Sequence, residues 1–590
     1  MAKPRLHDSF GLRLPLLGTL RTYQPAWLRH DLIAGLTTCV VMIPAVIAYA
    51  ELVHLPPIAG LYAALAACIG YALFASSRHV IAGPDAAIGL LAGTAIIPLA
   101  GGDPVRTAVL AAELALLSGG VLLLAARLNL GAIADLLSRP VLIGYLNGAS
   151  LLLVATQLGK LFGIQTEGEQ FFNLLYSVGS NLEQTHLPTL LIGIALLLLL
   201  LGVARYLPRL PGALAVTVVA MLATLWLDLD ALGVAMAGAV PVGIPPPGLP
   251  VVRLADLTAL VPAAVAIGFL AFSDGILLAQ TFADRNRYEI NPNQELVALG
   301  SANIFAGLLQ GFPVSASQSR SSVVEAAGGK TQVAQLVAAG GLLLFLLFFA
   351  GLIALLPKVA LGAILIVTAL GMLEIASLSA LYRIDQRDFW LALGVMLSIL
   401  IVGVVPGIIL GMLLSLIGVL VEISRPRDAV LSRLTRDGKF HDLDATESAA
   451  ETIPGLLVYR LYAPLIFANA RYVINRLREL VEQAEQAGAP LRWVIIDAQA
   501  ITDIDVTAAQ RFAELYRELA EAGIEIKLAD TPRPFREELG RVGIADQIGQ
   551  PQFYVSVKKA VEAYQLKFPE AGAMPVQRTA RERAEDADTA

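Results

Sequence analysis

The 590-residue sequence is poor in the residues that build reaction centres. Its two cysteines, Cys39 and Cys68, both fall in apolar stretches, which excludes a disulfide framework and a thiolate metal cluster. The six histidines are scattered, and the chain has no Ser/His/Asp set and no phosphate-binding glycine loop, so neither an enzyme nor a cofactor or metal site is expected. Charged residues make up 15% of the chain, too few for a soluble protein of this size. The net charge of −6 lies mostly towards the C-terminus and offers nucleic acid no basic surface. The first thirty residues carry Lys3, Arg5, Arg13, Arg21 and Arg29 without a central apolar run, which reads as a cytoplasmic leader and not a secretory signal.

What is abundant is apolar sequence, at 56% of residues. Fourteen spans are expected, at 31–50, 57–74, 84–98, 105–125, 140–159, 187–203, 211–227, 257–282, 294–309, 315–327, 332–355, 359–373, 389–405 and 407–423. An even count puts both ends on one side of the bilayer. With the N-terminus inside, ten Arg and Lys residues fall in interior loops and four in exterior ones, in keeping with the positive-inside rule. The third and tenth spans are too short to cross a hydrocarbon core roughly 30 Å thick. They stand seven positions apart, the footprint of two inverted seven-span repeats with a site at the interrupted helices.

The tenth span lies in Gly311–Gly329, GFPVSASQSRSSVVEAAGG, whose five serines, glutamine and arginine suit a cavity and not lipid. Pro313 favours an extended entry, a serine N-cap places the helix start within 315–319, and Gly328-Gly329 ends it. Free N–H groups at that start, with Arg320 beside them, make an anion site; a wet re-entrant loop or small-residue helix packing is the other reading. In the third span Gly83-Pro84-Asp85-Ala86 opens the helix, and Asp85 is either a helix-start residue or a cavity group. The first span holds Pro44 and Tyr49. The eighth holds Asp274, a carboxylate midway along a span that must be paired, hydrated or protonated. It is either a coupling-ion site or a structural partner of Arg320.

After residue 424 the pattern changes. A linker with some local structure is expected over 425–453, and alternating strands and helices over 454–566 imply a small sheet covered by helices. The tail, 567–590, has too little apolar content to pack. The plan is thus a cytoplasmic segment over 1–30, a transmembrane unit over 31–424, the linker, a soluble α/β domain and the tail.

Several motifs together carry a resemblance to a known family: Asp31-Leu32-Ile33-Ala34-Gly35-Leu36 with Pro44 and Ala48-Tyr49-Ala50, Gly60-Leu61-Tyr62, Ser77-Arg78-His79, Gly83-Pro84, Asn291 with Gln294-Glu295-Leu296, Asn303-Ile304 and Ser319-Arg320-Ser321. From about Trp27 to Tyr564 the chain resembles the sulfate permease (SulP) family, which joins a membrane anion transporter to a cytoplasmic STAS domain. The resemblance implies fourteen spans in two inverted repeats, half-helices at spans three and ten, a mobile core, and a gate part used in a homodimer or as a static wall. It implies secondary active transport of a small anion of the sulfate, bicarbonate or dicarboxylate class by an elevator-like mechanism in the cell inner (plasma) membrane. The anion contacts carried over are Tyr49, Asp85, Ala86, Ser317, Ser319 and Arg320. Ala45 stands where many relatives have glutamine. Asp274 stands where proton-coupled relatives have glutamate, and Leu278 where a sodium-dependent bicarbonate relative has threonine. Proton symport through Asp274 is therefore favoured, with sodium-dependent bicarbonate symport, or an uncoupled channel or regulatory protein, as alternatives. In the STAS domain, Asp503-Ile504-Asp505-Val506-Thr507 resembles the loop before the signature helix. Val506 replaces the serine that is phosphorylated in anti-sigma antagonists.

Overall fold

The computed structural model describes residues 14–131, 139–168, 170–207, 210–238, 243–250, 253–434, 440–442, 450–541, 552–570 and 574–575. The leader residues Lys3, Arg5 and Arg13, and the tail from 576 onward, lie outside the described residues. The chain divides into two units, Met1–Ser415 and Leu416–Ala590.

In the first unit a short helix α1 (Pro15–Arg21) precedes α2 (Pro25–Leu52), α3 (Pro57–Phe74), strand β1 (Ile81–Gly83), α4 (Ala86–Ala100), α5 (Pro104–Arg127), α6 (Arg139–Phe162), α7 (Phe171–Ser180), α8 (Leu187–Tyr206) and α9 (Gly212–Leu227). A matching series follows: α10 (Leu254–Asn286), α11 (Pro292–Leu308), strand β2 (Ser315–Ser317), α12 (Gln318–Ala326), α13 (Val333–Phe348), α14 (Lys358–Met372), α15 (Ile375–Ile384), α16 (Gln386–Val402) and α17 (Val404–Ser424), which runs on into the second unit. Each of the fourteen expected spans contains one helix. Among the described residues, length and composition alone single out eight helical stretches able to cross a membrane, one of them running through α14 and α15, with α4, α9 and α13 apolar but shorter. The two series repeat in detail: each has a strand before its third span helix and a short helix, α7 or α15, before its sixth. Neither short helix was expected, and the span expected over 332–355 stops at Phe348 before a 3-10 turn at Ala350–Leu355.

Sequence explains the helix starts. Proline occupies the first turn of α2, α3, α5 and α11, where its missing N–H costs nothing. Asp85, Asp103 and Asn291 each accept a backbone N–H as side-chain caps. Glycine sets how closely the helices approach. A Cβ on Gly60 would stand 1.9 Å from the Val46 carbonyl oxygen, and one on Gly93 2.1 Å from that of Leu52, so α3 and α4 both lie backbone-to-backbone on α2.

Two buried carboxylates tie loops to this bundle. Glu295 accepts from the Tyr71 hydroxyl at 2.5 Å, the Ser76 hydroxyl at 2.6 Å, and the Ser76 and Ser77 N–H groups at 2.9 and 2.7 Å. Asp31 accepts from the Lys330 and Thr331 N–H groups at 2.6 and 3.1 Å, the Thr331 hydroxyl at 2.6 Å and the Tyr23 hydroxyl at 3.0 Å, anchoring the turn that follows α12.

The second unit is a mixed sheet with helices. Strands β3 (Asp428–Leu434), β4 (Phe440–Asp442), β5 (Ala450–Thr452) and β6 (Leu456–Leu461) are followed by α18 (Ala470–Gln486), β7 (Trp493–Asp497), α19 (Val506–Glu521), β8 (Glu525–Ala529), α20 (Arg533–Arg541), β9 (Phe553–Tyr554), α21 (Val557–Lys567) and β10 (Met574–Pro575). The sheet order is β10-β5-β3-β6-β7-β8-β9, with β6 to β9 parallel and β4 paired to β3. β3 lies within the stretch expected as linker and pairs antiparallel with β6. Apolar faces of α18 and α19 cover one side of the sheet, while Trp493, Val561 and Tyr564 pack together in a second core.

Candidate functional site

The site is built around a two-stranded clasp. β1 and β2 run antiparallel, with Ile81 opposite Ser317, Ala82 opposite Ala316 and Gly83 opposite Ser315. Each strand leads within two residues into a helix, so the N-termini of α4 and α12 are brought to one place. Side chains hold the clasp in register. The Ile81 N–H donates to Ser321 Oγ at 3.0 Å, and that hydroxyl donates to the Ser317 carbonyl at 2.6 Å. The Asn303 amide accepts from the Val314 N–H and donates to the Val314 carbonyl, both at 3.0 Å, as a neighbouring strand would. With its amide turned to satisfy both partners, Gln335 donates to the Val80 carbonyl at 3.2 Å and accepts from the Ala82 N–H at 3.1 Å.

The expected site residues gather at this clasp. Arg320, 3% exposed, lies over Gly83, where an added Cβ would be 3.3 Å from Nη2. Among the described residues its Nε and Nη2 have no hydrogen-bond partner. These two nitrogens form one edge of the guanidinium plane, the edge that takes two oxygens of an oxyanion or carboxylate side by side. Buried charged donors are expensive to leave unpaired, and this edge is free to take such a pair of oxygens. Ser317 is buried, precedes α12 and makes no side-chain cap; its hydroxyl lies 3.4 Å from that of the exposed Ser319. The N-cap hydroxyl of α12 is thus not engaged with the first N–H groups of the helix.

At the other helix start the pattern differs. Asp85 Oδ2 accepts from the Ala87 N–H at 3.0 Å, capping α4, and Ala86 is buried. Asp85 is thus a helix-start residue, and Pro84 lies before the helix and not in its first turn. Tyr49, on α2, is buried within electrostatic range of both Asp85 and Arg320. Ala45 is part of the apolar packing, leaving Tyr49 as the polar contribution of α2 beside these two charges. Tyr145, on α6, was not anticipated: its hydroxyl donates to the Ala87 carbonyl at 3.0 Å, and it neighbours Asp85 and Asp274.

Asp274 comes to the site through Gly275, whose missing Cβ would lie 3.5 Å from that of Ala316, the middle residue of β2. Asp274 is exposed, as are Thr258, Val261 and Val265 earlier on α10. It lies nine residues after Val265, which at about 100° per residue is half a turn round the helix. The turn of α10 that carries it therefore lies next to the clasp, away from Val261 and Val265. Leu278 is buried. In the second unit, Asp505 caps α19 by accepting from the Ala508 N–H at 2.8 Å and also accepts from the Phe467 N–H at 2.6 Å, while Val506 and Thr507 are exposed.

Two short helices meeting head-on inside a bundle of repeated helices, with an α/β domain attached, define a multi-pass membrane transporter. The sequence matches the sulfate permease family over residues 28–395 and the STAS domain over 447–560. It is 38% identical over 547 residues to a protein of Mycobacterium tuberculosis named probable sulfate transporter, covering 93% of this chain and 97% of that one. It is 29% identical to the high affinity sulfate transporter 2 of Stylosanthes hamata, covering 93% and 86%. The chain belongs to the sulfate permease family. Its fold is that of murine Solute Carrier 26 family member A9, an anion transporter solved in an inward-facing state, with a TM-score of 0.87 at 21% identity over 96% of this chain and 97% of that one. The transmembrane domain of a cyanobacterial bicarbonate transporter superposes with a TM-score of 0.58 at 21% identity, over 67% and 97%.

Proposed function

We propose that the protein carries a small oxyanion or carboxylate across the membrane by secondary active transport, in symport with a proton carried on Asp274. The observation that carries this reading is the free edge of buried Arg320 at the start of α12. The anion binds between the two helix starts, touching Tyr49, Ala86, Ser317, Ser319 and Arg320, with Asp85 at the same place. A neutral Asp274 beside the clasp spares the anion a second negative charge, so proton and anion favour each other's binding. Sulfate is the leading substrate because relatives that align along nearly the whole chain are named sulfate transporters. Sodium coupling is the weaker alternative, since the buried Leu278 offers a cation no oxygen.

The transport unit is residues 31–424, joined by 425–453 to the STAS domain over 454–566. Both termini and that domain lie on the cytoplasmic side of the cell membrane. Transport follows an elevator-like movement in a homodimer, with the STAS domain as a regulatory or assembly module. The test is uptake into proteoliposomes of sulfate, bicarbonate and a dicarboxylate under a proton gradient, a sodium gradient or neither. Proton-driven uptake that disappears in Asp274→Asn is expected. Flux indifferent to both gradients would overturn coupling, and a sodium requirement would replace the proton.

A further inference from the structure

The start of α4 already holds an anion of the protein's own. Asp85 caps the Ala87 N–H and lies beside those of Ala86 and Ile88. Among the described residues the start of α12 has no side-chain cap of this kind, and Arg320 there presents two unpartnered donors. The two helix starts are therefore not equivalent: one is open to a ligand and the other is filled. The charges confirm the imbalance. Groups facing Asp85 are Arg320 from α12, Asp274 from α10, Tyr49 from α2 and Tyr145 from α6. The two phenols are uncharged, so with both carboxylates ionised the site is net negative and repels the substrate.

We propose that Asp85 is a tethered anion that competes with the substrate for the start of α4, and that a proton taken up from solvent on Asp85 opens this position. The inference rests on the anion-transport reading above. A neutral carboxylic acid loosens its hold on the Ala87 N–H, no longer attracts that of Ala86 beside it, and gains an O–H donor of its own. The arriving anion takes those N–H groups on one side and the free edge of Arg320 on the other. Substrate affinity is then coupled to a proton on Asp85, separately from the proton that Asp274 carries.

Sulfate and nitrate serve as probes because neither titrates near neutrality. Their equilibrium binding to the purified full-length protein is measured between about pH 5.5 and 8.5 for Asp274→Asn and for Asp274→Asn combined with Asp85→Asn. Asparagine cannot ionise and keeps only a neutral acceptor that an arriving anion displaces, and Asp85→Ser is the second choice should the first fail to fold, as checked by melting temperature. With Asp274 silenced, the single variant is expected to lose affinity about tenfold per pH unit above the Asp85 titration, as one linked proton requires. The double variant is expected to hold the low-pH affinity throughout. A flat profile in the single variant, a slope that survives in the double, or a folded double variant that binds nothing would each overturn the proposal. Absence of binding by wild type at every pH would instead remove the anion reading itself, and this inference with it.

Discussion

Lysine at position 320 would keep a positive charge in the site and remove its flat edge. Arg320 Nε and Nη2 lie on one edge, buried and without acceptors among the described residues, so an oxyanion there would receive two parallel hydrogen bonds. An ammonium reaching the same place directs one. A hydrogen bond to a charged group contributes about 1.5–3 kcal/mol, which predicts a sulfate Kd roughly 10- to 150-fold higher in Arg320→Lys. Equilibrium binding at acidic pH, with melting temperature as the check on folding, measures the change. If Arg320→Lys binds sulfate as tightly as wild type, the anion does not sit on this edge and the reasoning fails.

Two further outcomes concern stability. Glu295→Ala strips acceptors from the Tyr71 and Ser76 hydroxyls and the Ser76 and Ser77 N–H groups, and should cost more than about 3 kcal/mol, whereas Glu295→Gln should recover part of the loss in thermal unfolding. In the STAS domain, burial works against ionisation of Glu525, yet hydrogen bonds and charge from Lys527 and Lys567 lower its pKa to about 2. A carboxyl depressed on folding stabilises above its unfolded pKa and loses that contribution as pH falls through the folded one. Unfolding of this domain in the full chain should therefore ease more steeply below about pH 4.3 in wild type than in Glu525→Gln, and parallel profiles would refute the assignment.

The helices were legible because hydropathy is a local signal. Fourteen apolar runs gave fourteen helices, while α7 and α15, ten residues each, escaped because neither is an uninterrupted apolar run. At the site, Arg320, Asp85 and Asp274 could be singled out as polar groups in apolar surroundings. The clasp could not, since three residues per strand carry no periodicity and the partners are far apart in sequence. Asn303 shows the same limit: its motif was visible, but its role as a substitute strand partner for Val314 depends on a loop eleven residues away. Tyr145 lies in an ordinary apolar helix, and nothing around it in the sequence marks it as a neighbour of Asp85.

The pairing of β1 with β2 also bears on how the protein is made. Ile81 and Ser321, joined by a hydrogen bond across the clasp, are 240 residues apart. At synthesis rates of about 5–20 residues per second, the first strand waits roughly 10 to 50 s for the second. Throughout that interval the nascent chain holds unpaired backbone groups and a carboxylate among apolar helices, a state that hydrocarbon penalises heavily. The first half must keep that strand wet or sheltered, by the insertion machinery or by delaying its own burial, until the second half is delivered.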